Sequence, residues 1–312
     1  GGRQNQAMET NARDIISAIR TASNDERIKG IVLDLSKLSG SSLSLYEEIG
    51  QELRKFKETK KPVYAFGSSY SQTQYFLAAH ADKIYLDADT QSFPGGVFLH
   101  GFGSYPLYLK DALDKLSLNI HIFKAGVFKD AAETITRQSM SEYSREASQL
   151  LVDNLWQKYL GEVSAQRKIS VQTISSYIEN YSEVINAAEA DAVQAAIKVG
   201  LVDEQITRTT WRKEIQELTG KSGENYYQID FRRYLAATKP SVPINKPGSN
   251  KIAIIVASGA ILDGEQAPGQ VGGDSLAHLI RKATNNNDIK AIVLRVDSPG
   301  GSVSASELIR SE

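Results

Sequence analysis

The chain has 312 residues, 41% of them hydrophobic, 23% charged and none cysteine, with a formal net charge of −1. That length accommodates two domains with real cores. The absence of cysteine excludes a disulfide framework and thiolate metal ligands, and the balanced charge, with no basic run or basic–aromatic interleaving, argues against a nucleic-acid partner.

In chain order, Asn11 is a candidate N-cap for a helix carrying Ile15, Ile16 and Ile19. Ile28–Leu35 reads as a short strand. Leu45, Ile49, Leu53 and Phe56 recur at i, i+4, i+8 and i+11, one face of a helix. Pro62–Phe66 predicts a strand, Gln74–His80 a helix and Ile84–Leu86 a third strand. Tyr105–Leu116 predicts a helix and Asn119–Phe123 another strand. This alternation specifies an α/β fold of stacked β-α units with mostly parallel strands. From Ser141 to Leu218 strand signals nearly vanish. Helices expected over Glu142–Gln166, Val171–Glu179 and Ala187–Val199 form an extension that packs on the core or on a neighbouring subunit. Residues 239–249, KPSVPINKPGS, hold three of the eight prolines and read as an interdomain linker. Lys251–Ala257 is an apolar strand fit for a buried parallel sheet.

The chain also repeats itself. Residues 19–33 (IRTASNDERIKGIVL) and 280–294 (IRKATNNNDIKAIVL) share nine of 15 positions at a constant offset of 261 residues. Both read as a helix end, a polar turn and an apolar strand. The period is domain-sized, so the expectation is a tandem duplication of one α/β unit and not a solenoid. Residues 1–238 form the first repeat with its helical extension, 239–250 the linker and 251–312 the opening of a second, truncated repeat. The counterpart of the strand at Lys251 would precede Gly1, and the chain opens inside a Gly-Gly-polar stretch without Met. A longer parent protein is therefore expected. No apolar run approaches the roughly 18–20 residues of a membrane helix, and no signal peptide is visible; an anchor ahead of Gly1 stays open.

The sharpest local motif is Asp297-Ser298-Pro299-Gly300-Gly301-Ser302, between the strand Ile292–Val296 and the helical stretch Val303–Arg310. A Gly-Gly turn lets backbone N–H groups approach a ligand without Cβ obstruction, and N–H groups at a helix start can stabilise an oxyanion. Taken alone, the same turn is also ordinary strand-to-helix punctuation. The first repeat has Asp34-Leu35-Ser36-Lys37-Leu38 in the corresponding place, without Pro-Gly-Gly. The motif therefore points to a task that belongs to the second repeat.

Residues 292–303, IVLRVDSPGGSV, resemble the oxyanion turn of the Clp protease/crotonase-like fold. With residues 257–265 (ASGAILDGE), 270–274 (QVGGD), 70–78 (YSQTQYFLA) and 123–133 (FKAGVFKDAAE), the whole chain resembles the signal peptide peptidase A family in its long, tandem-repeat form. The resemblance implies a membrane-anchored serine endopeptidase with a Ser/Lys dyad. In it the lysine comes from the first repeat and the serine from the second. The lysine falls on Lys129 within Gly126-Val127-Phe128-Lys129-Asp130-Ala131; downstream, Glu133-Thr134-Ile135 departs from the family's usual Glu-Pro-Phe. A base lysine needs a desolvated setting, and Val127, Phe128, Ala131 and Ala132 make an apolar one conceivable; without the resemblance Lys129 reads as a solvated surface lysine. Gly301, with Gly300 as a second candidate donor, would hold the oxyanion. The nucleophilic serine is not in this sequence. Gln72 occupies its position in the first repeat, Ser71 is one place off, and mapping Gln72 through the repeat puts the serine about 20 residues beyond Glu312. The resemblance further implies apolar peptide substrates, including cleaved signal peptides, and no cofactor or metal. It also implies a homo-oligomer, a tetramer in expectation, at the bacterial inner membrane with its catalytic domains facing the periplasm.

Other constellations are weaker. His80, His100, His121 and His278 lack metal spacing, and His121 reads as a core or surface residue. Trp156 and Tyr159 lie at i, i+3 on an expected helix, where packing or a subunit contact would use them. Gly200-Leu201-Val202-Asp203 resembles the family's helix-to-strand closing turn. Two rivals stand beside the peptidase: a non-hydrolytic peptide-binding or assembly scaffold of the same fold, and a crotonase-type acyl-CoA enzyme sharing the oxyanion turn.

Overall fold

The computed structural model describes residues 10–38, 40, 42–89, 95–238 and 250–312. The chain divides into two compact units, Gly1–Thr238 and Lys239–Glu312; residues 239–249 of the expected linker lie outside the described residues.

The first unit opens with α1 (Ala12–Ser23), β1 (Ile31–Leu33), α2 (Leu43–Glu58), β2 (Val63–Gly67), β3 (Ser69–Ser71), α3 (Gln72–Ala78), β4 (Lys83–Asp87) and β5 (Gly96–Phe98). A largely irregular excursion follows, holding α4 (Lys110–Lys115) and α5 (Glu133–Thr136). The helical run α6 (Glu142–Arg167), α7 (Val171–Glu179), α8 (Tyr181–Asn186) and α9 (Ala192–Val199) leads to β6 (Glu204–Ile206) and α10 (Arg208–Thr219). The hairpin β7 (Lys221–Ser222) and β8 (Asn225–Tyr226) and then α11 (Phe231–Thr238) complete it.

Its main sheet is parallel, in the order β1-β2-β4-β6, with Ile31 opposite Val63 and Ala65 opposite Ile84. Strand alternation sorts the two faces. Val63, Ala65, Ile84 and Leu86 enter the main core with Leu53, Phe56, Tyr75 and Phe76, where Tyr159, Leu160 and Val163 of α6 also lie. Tyr64, Phe66 and Tyr85 belong to a second cluster with Trp211 and Ile215 of α10, and Trp211 stacks on Phe66 at 5.1 Å. The helical extension therefore packs on its own core: Trp156 stacks on Tyr159 at 5.2 Å, and the Tyr159 hydroxyl donates to Gln72 O at 2.9 Å.

Asn11 caps α1 as expected, its side chain accepting from Arg13 N at 2.9 Å. Several boundaries differ from the sequence reading. The strand at Ile28–Leu35 contracts to Ile31–Leu33, and the helix at Tyr105–Leu116 to Lys110–Lys115. Asn119–Phe123 is no strand: its alternating Ile120 and Ile122 find no pairing partner among the described residues and are exposed, as is His121. The last helix of the extension starts at Ala192, because Glu189 and Ala190 adopt positive φ and the Asp191 side chain caps it by accepting from Val193 and Gln194 N–H groups. Gly200 caps the preceding helix in a left-handed conformation and the chain enters β6 at Glu204, as the helix-to-strand turn at Gly200–Asp203 implied; the helix α10 carried too little pattern to be expected.

The second unit contains β9 (Lys251–Ser258), β10 (Ile261–Leu262), β11 (Val271–Gly272), α12 (Gly273–Thr284), β12 (Ile289–Asp297) and α13 (Val303–Ser311). β9 pairs β12 in parallel, Ile254 opposite Val293, and β10 pairs β11 in parallel. Ile255 and Ala257 are buried, but Ile252 and Ile254 are 66% and 62% exposed. The expectation of a strand buried on both faces is thus met on one face only, because the described residues of this unit supply no layer over the other. Both units are mixed α/β with parallel sheets, in keeping with the expected fold class.

Candidate active site

Lys129 lies within the irregular excursion of the first unit, shortly before α5. Its side chain is exposed, and its backbone carbonyl accepts from Lys124 Nζ at 3.3 Å. Val127 and Phe128 flank it but are about half exposed, at 51% and 55%. The apolar enclosure expected around the amine is therefore not supplied within this unit. The backbone just after Lys129 is well anchored. Asp130 Oδ2 accepts from Ser144 Oγ at 2.7 Å and Glu133 Oε2 from Ser141 N at 2.9 Å. Hydrogen bonding from Ser141 is the chief cause that holds the buried Glu133 carboxyl below its usual range. The Phe128 ring meets Tyr143 edge-on at 5.5 Å.

Gln72, at the place of the missing nucleophile, is 4% exposed. Its Oε1 accepts from His100 N at 2.9 Å and Gly101 N at 2.8 Å, while its Nε2 donates to Gly101 O at 3.0 Å. Neighbouring Ser71 is a capping residue: its Oγ accepts from Gln74 N, and Gln74 Oε1 accepts from Ser71 N. A small cavity of about 120 Å³ lies beside them, lined by Leu35, Ser36, Phe66 to Tyr70 and Gln74. It sits beyond the C-terminal ends of β1 and β2, where parallel α/β sheets place ligand sites.

The Gly-Gly turn belongs to the second unit. Ile261 N donates to Gly300 O at 3.0 Å and Ser302 N to Ile261 O at 2.8 Å, a parallel bridge centred on Gly301. Gly300 N donates to Ser298 Oγ at 3.1 Å. Gly300 and Ser302 amides are thus engaged, whereas the Gly301 N–H has no hydrogen-bond acceptor among the described residues. A side chain at Gly301 is excluded, since a Cβ would stand 1.9 Å from Ile261 O; Gly300 has room but a φ of +101°. Behind the turn, Ser302 Oγ and Ser304 Oγ each donate to Asp263 Oδ1 at 2.7 Å. These bonds, Ser304's first, hold Asp263 below the usual carboxylate range. Ser302 Oγ also accepts from Ala305 N at 3.2 Å, capping α13.

Sequence reasoning missed a buried polar junction in the first unit. His80 is fully buried, its Nδ1 2.9 Å from Phe76 O and its Nε2 2.9 Å from Glu162 Oε1, which also pairs with Arg54. A carbonyl cannot donate, so Nδ1 carries a proton. The hydrogen bond with His80 is the chief cause that holds Glu162 below its ordinary range. No local spacing could reveal the pair, because 82 residues separate its members. Among the described residues no group of three or more His, Cys, Asp or Glu side chains is placed to hold a metal ion, and no helix is long and apolar enough to cross a membrane.

Residues 55–221 match the model of peptidase family S49. The chain is 41% identical to Protease 4 of Salmonella typhi over 314 aligned positions, covering 100% of this chain and 49% of that protein. It is 38% identical to Protease 4 of Haemophilus influenzae, covering 96% of this chain and 48% of that protein. It is 25% identical to the chloroplastic serine protease SPPA of Arabidopsis thaliana, covering 93% and 42%. The chain thus spans about half the length of the curated relatives it matches.

Proposed function

The chain belongs to peptidase family S49, and from that premise we propose that it supplies the base and an oxyanion donor of a Ser/Lys-dyad serine endopeptidase. The observation that carries this reading is the Gly301 N–H, which has no acceptor among the described residues in a turn whose neighbouring amides are both engaged. An unused backbone donor at a helix start suits the negative oxygen of a tetrahedral intermediate.

In this reading the two units are tandem copies of one fold; the shared order of helix, turn and strand in α1–β1 and α12–β12 supports it. The nucleophilic serine follows Glu312, about 20 residues on by the repeat offset. Lys129 in its neutral form takes the serine proton as the hydroxyl attacks the peptide carbonyl. Gly301 N–H donates to the resulting oxyanion; Gly300 N, the second candidate donor, would first have to release Ser298 Oγ, to which it donates at 3.1 Å. The lysine returns the proton to the leaving amine. It then activates water to hydrolyse the acyl-enzyme. Enclosure of the exposed Lys129 amine comes from the assembled enzyme and its substrate. The substrates are apolar peptides, among them cleaved signal peptides. The parent protein is a homo-oligomer, a tetramer in the simplest form, anchored in the bacterial inner membrane by a segment ahead of Gly1 and working on the periplasmic side.

The test is turnover of a fluorogenic peptide by the longer protein. Lys129→Ala is expected to lower kcat roughly 10³-fold or more, as loss of a dyad member does. Lys124→Ala should leave turnover nearly unchanged. An active Lys129→Ala beside a dead Lys124→Ala sinks the assignment.

A further inference from the structure

The excursion that carries Lys129 leaves the first unit's core at Gly101 and returns to it at Glu133. Its return is tied to the start of α6 through Asp130 with Ser144 and Glu133 with Ser141. Its departure is tied by one side chain. The Gln72 carboxamide accepts from the His100 and Gly101 amides and donates to the Gly101 carbonyl. Only a side chain that accepts and donates at this length satisfies all three groups. A serine is too short, and a carboxylate would face the Gly101 carbonyl with no proton to give. The clamp is rigid from behind: Tyr159 donates to the Gln72 carbonyl at 2.9 Å. Just past Gly101, Phe102 lies edge-on to Trp156 at 5.8 Å and to Tyr159 at 6.1 Å. Both ends of the excursion therefore hang on the same helix, α6.

We propose that Gln72, which stands where the repeat places the counterpart of the nucleophile, is a positioning residue for Lys129: its carboxamide locks the root of the lysine-bearing excursion. The lost reaction centre of the first repeat has become the hinge pin of the working one. This role rests on the reading of Lys129 as the base. Between Gly101 and Lys129 the chain has little regular structure of its own, only α4, which leans on the return segment through Leu109 N donating to Thr134 O at 2.7 Å and Gln138 Nε2 to Asp111 Oδ1 at 2.6 Å; on the departure side the amine's placement depends on how the root at Gly101 is held. Misplacement of a reacting group by an ångström can cost about 100-fold in rate.

Two measurements test it. In the 312-residue chain, hydrogen exchange should rise in Gln72→Leu at residues 100–129 while α1, α2 and the main sheet stay protected; this arm does not depend on the catalytic reading. In the longer protein, Gln72→Leu should lower kcat by about tenfold to about 100-fold, with KM changed less than about twofold. Gln72→Glu, nearly isosteric and keeping two of the three hydrogen bonds, should fall between wild type and Gln72→Leu. Exchange that rises evenly over the whole unit, or a KM that rises while kcat holds, overturns the proposal. Should Lys129→Ala remain active, the catalytic reading fails instead, and the exchange result still decides whether Gln72 pins the excursion.

Discussion

At Gly301 a single hydrogen atom in place of a side chain decides the turn. Because a Cβ would meet Ile261 O at 1.9 Å, Gly301→Ala should break the bridge to Ile261 and swing the free amide away. In the longer protein we expect a kcat loss on the order of 10²–10³-fold, the usual cost of an oxyanion donor. Gly300→Ala meets no neighbour and pays only for its positive φ, about 1–2 kcal/mol. Denaturant unfolding of the two variants, read beside their kinetics, separates strain from lost catalysis; equal kinetics would remove Gly301 from the site. A second residue-scale prediction concerns Glu52. Arg20 donates two hydrogen bonds to it at 2.9 Å and Lys55 one at 2.8 Å, which lower its pKa from the ordinary 4.5 to about 2. A carboxylate depressed in the folded state stabilises fully above its unfolded value and loses that contribution as pH falls toward the folded one. Melting temperature should thus drop as pH falls from about 4.5 to about 2, and Glu52→Gln should flatten that drop. Identical profiles for the two proteins would show the ion pair to be idle.

Among the elements, α2, α3 and α6 meet at the buried His80–Glu162–Arg54 junction. Gly50 of α2 makes room for the ring: a Cβ there would lie 2.3 Å from His80 Nε2. Gly50→Ala should therefore overpack the junction, costing about 1–3 kcal/mol and lowering the urea midpoint. An unchanged midpoint would mean that the imidazole has somewhere else to go. The junction matters beyond stability because α6 and its N-cap Ser141, with Ser144, Trp156 and Tyr159 on the helix, hold the ends of the Lys129 excursion.

On the scale of the molecule, the proposed base Lys129 and the proposed oxyanion donor Gly301 belong to different units, and the two described side chains at or beside the expected nucleophile position of the first unit are already engaged. Gln72 is consumed by three backbone hydrogen bonds and Ser71 by a helix cap. The purified 312-residue chain is accordingly expected to cleave no fluorogenic peptide. Cleavage by this chain that disappears with Ser71→Ala would overturn the division of labour.

Local chemistry made much of this legible in advance. Asn11 before an apolar stripe, the short apolar and aromatic runs at Val63 and Ile84, and the period of Leu45, Ile49, Leu53 and Phe56 reflect forces that act within a few residues, so the sequence alone determines those elements. Pro-Gly-Gly after an apolar strand likewise announces a turn with bare amides. What Gln72 does could not be read, because its partners lie 28 and 29 residues away in a loop without pattern. The His80–Glu162 pair is more distant still. Asn119–Phe123 shows the reverse case: alternation without a neighbouring strand leaves the ladder's hydrogen bonds unmade, and the segment stays irregular. Only tertiary structure settled which turn amide is free, which polar side chains are consumed and where Lys129 meets water. Those outcomes depend on groups brought together from far along the chain, and no short-range propensity encodes them.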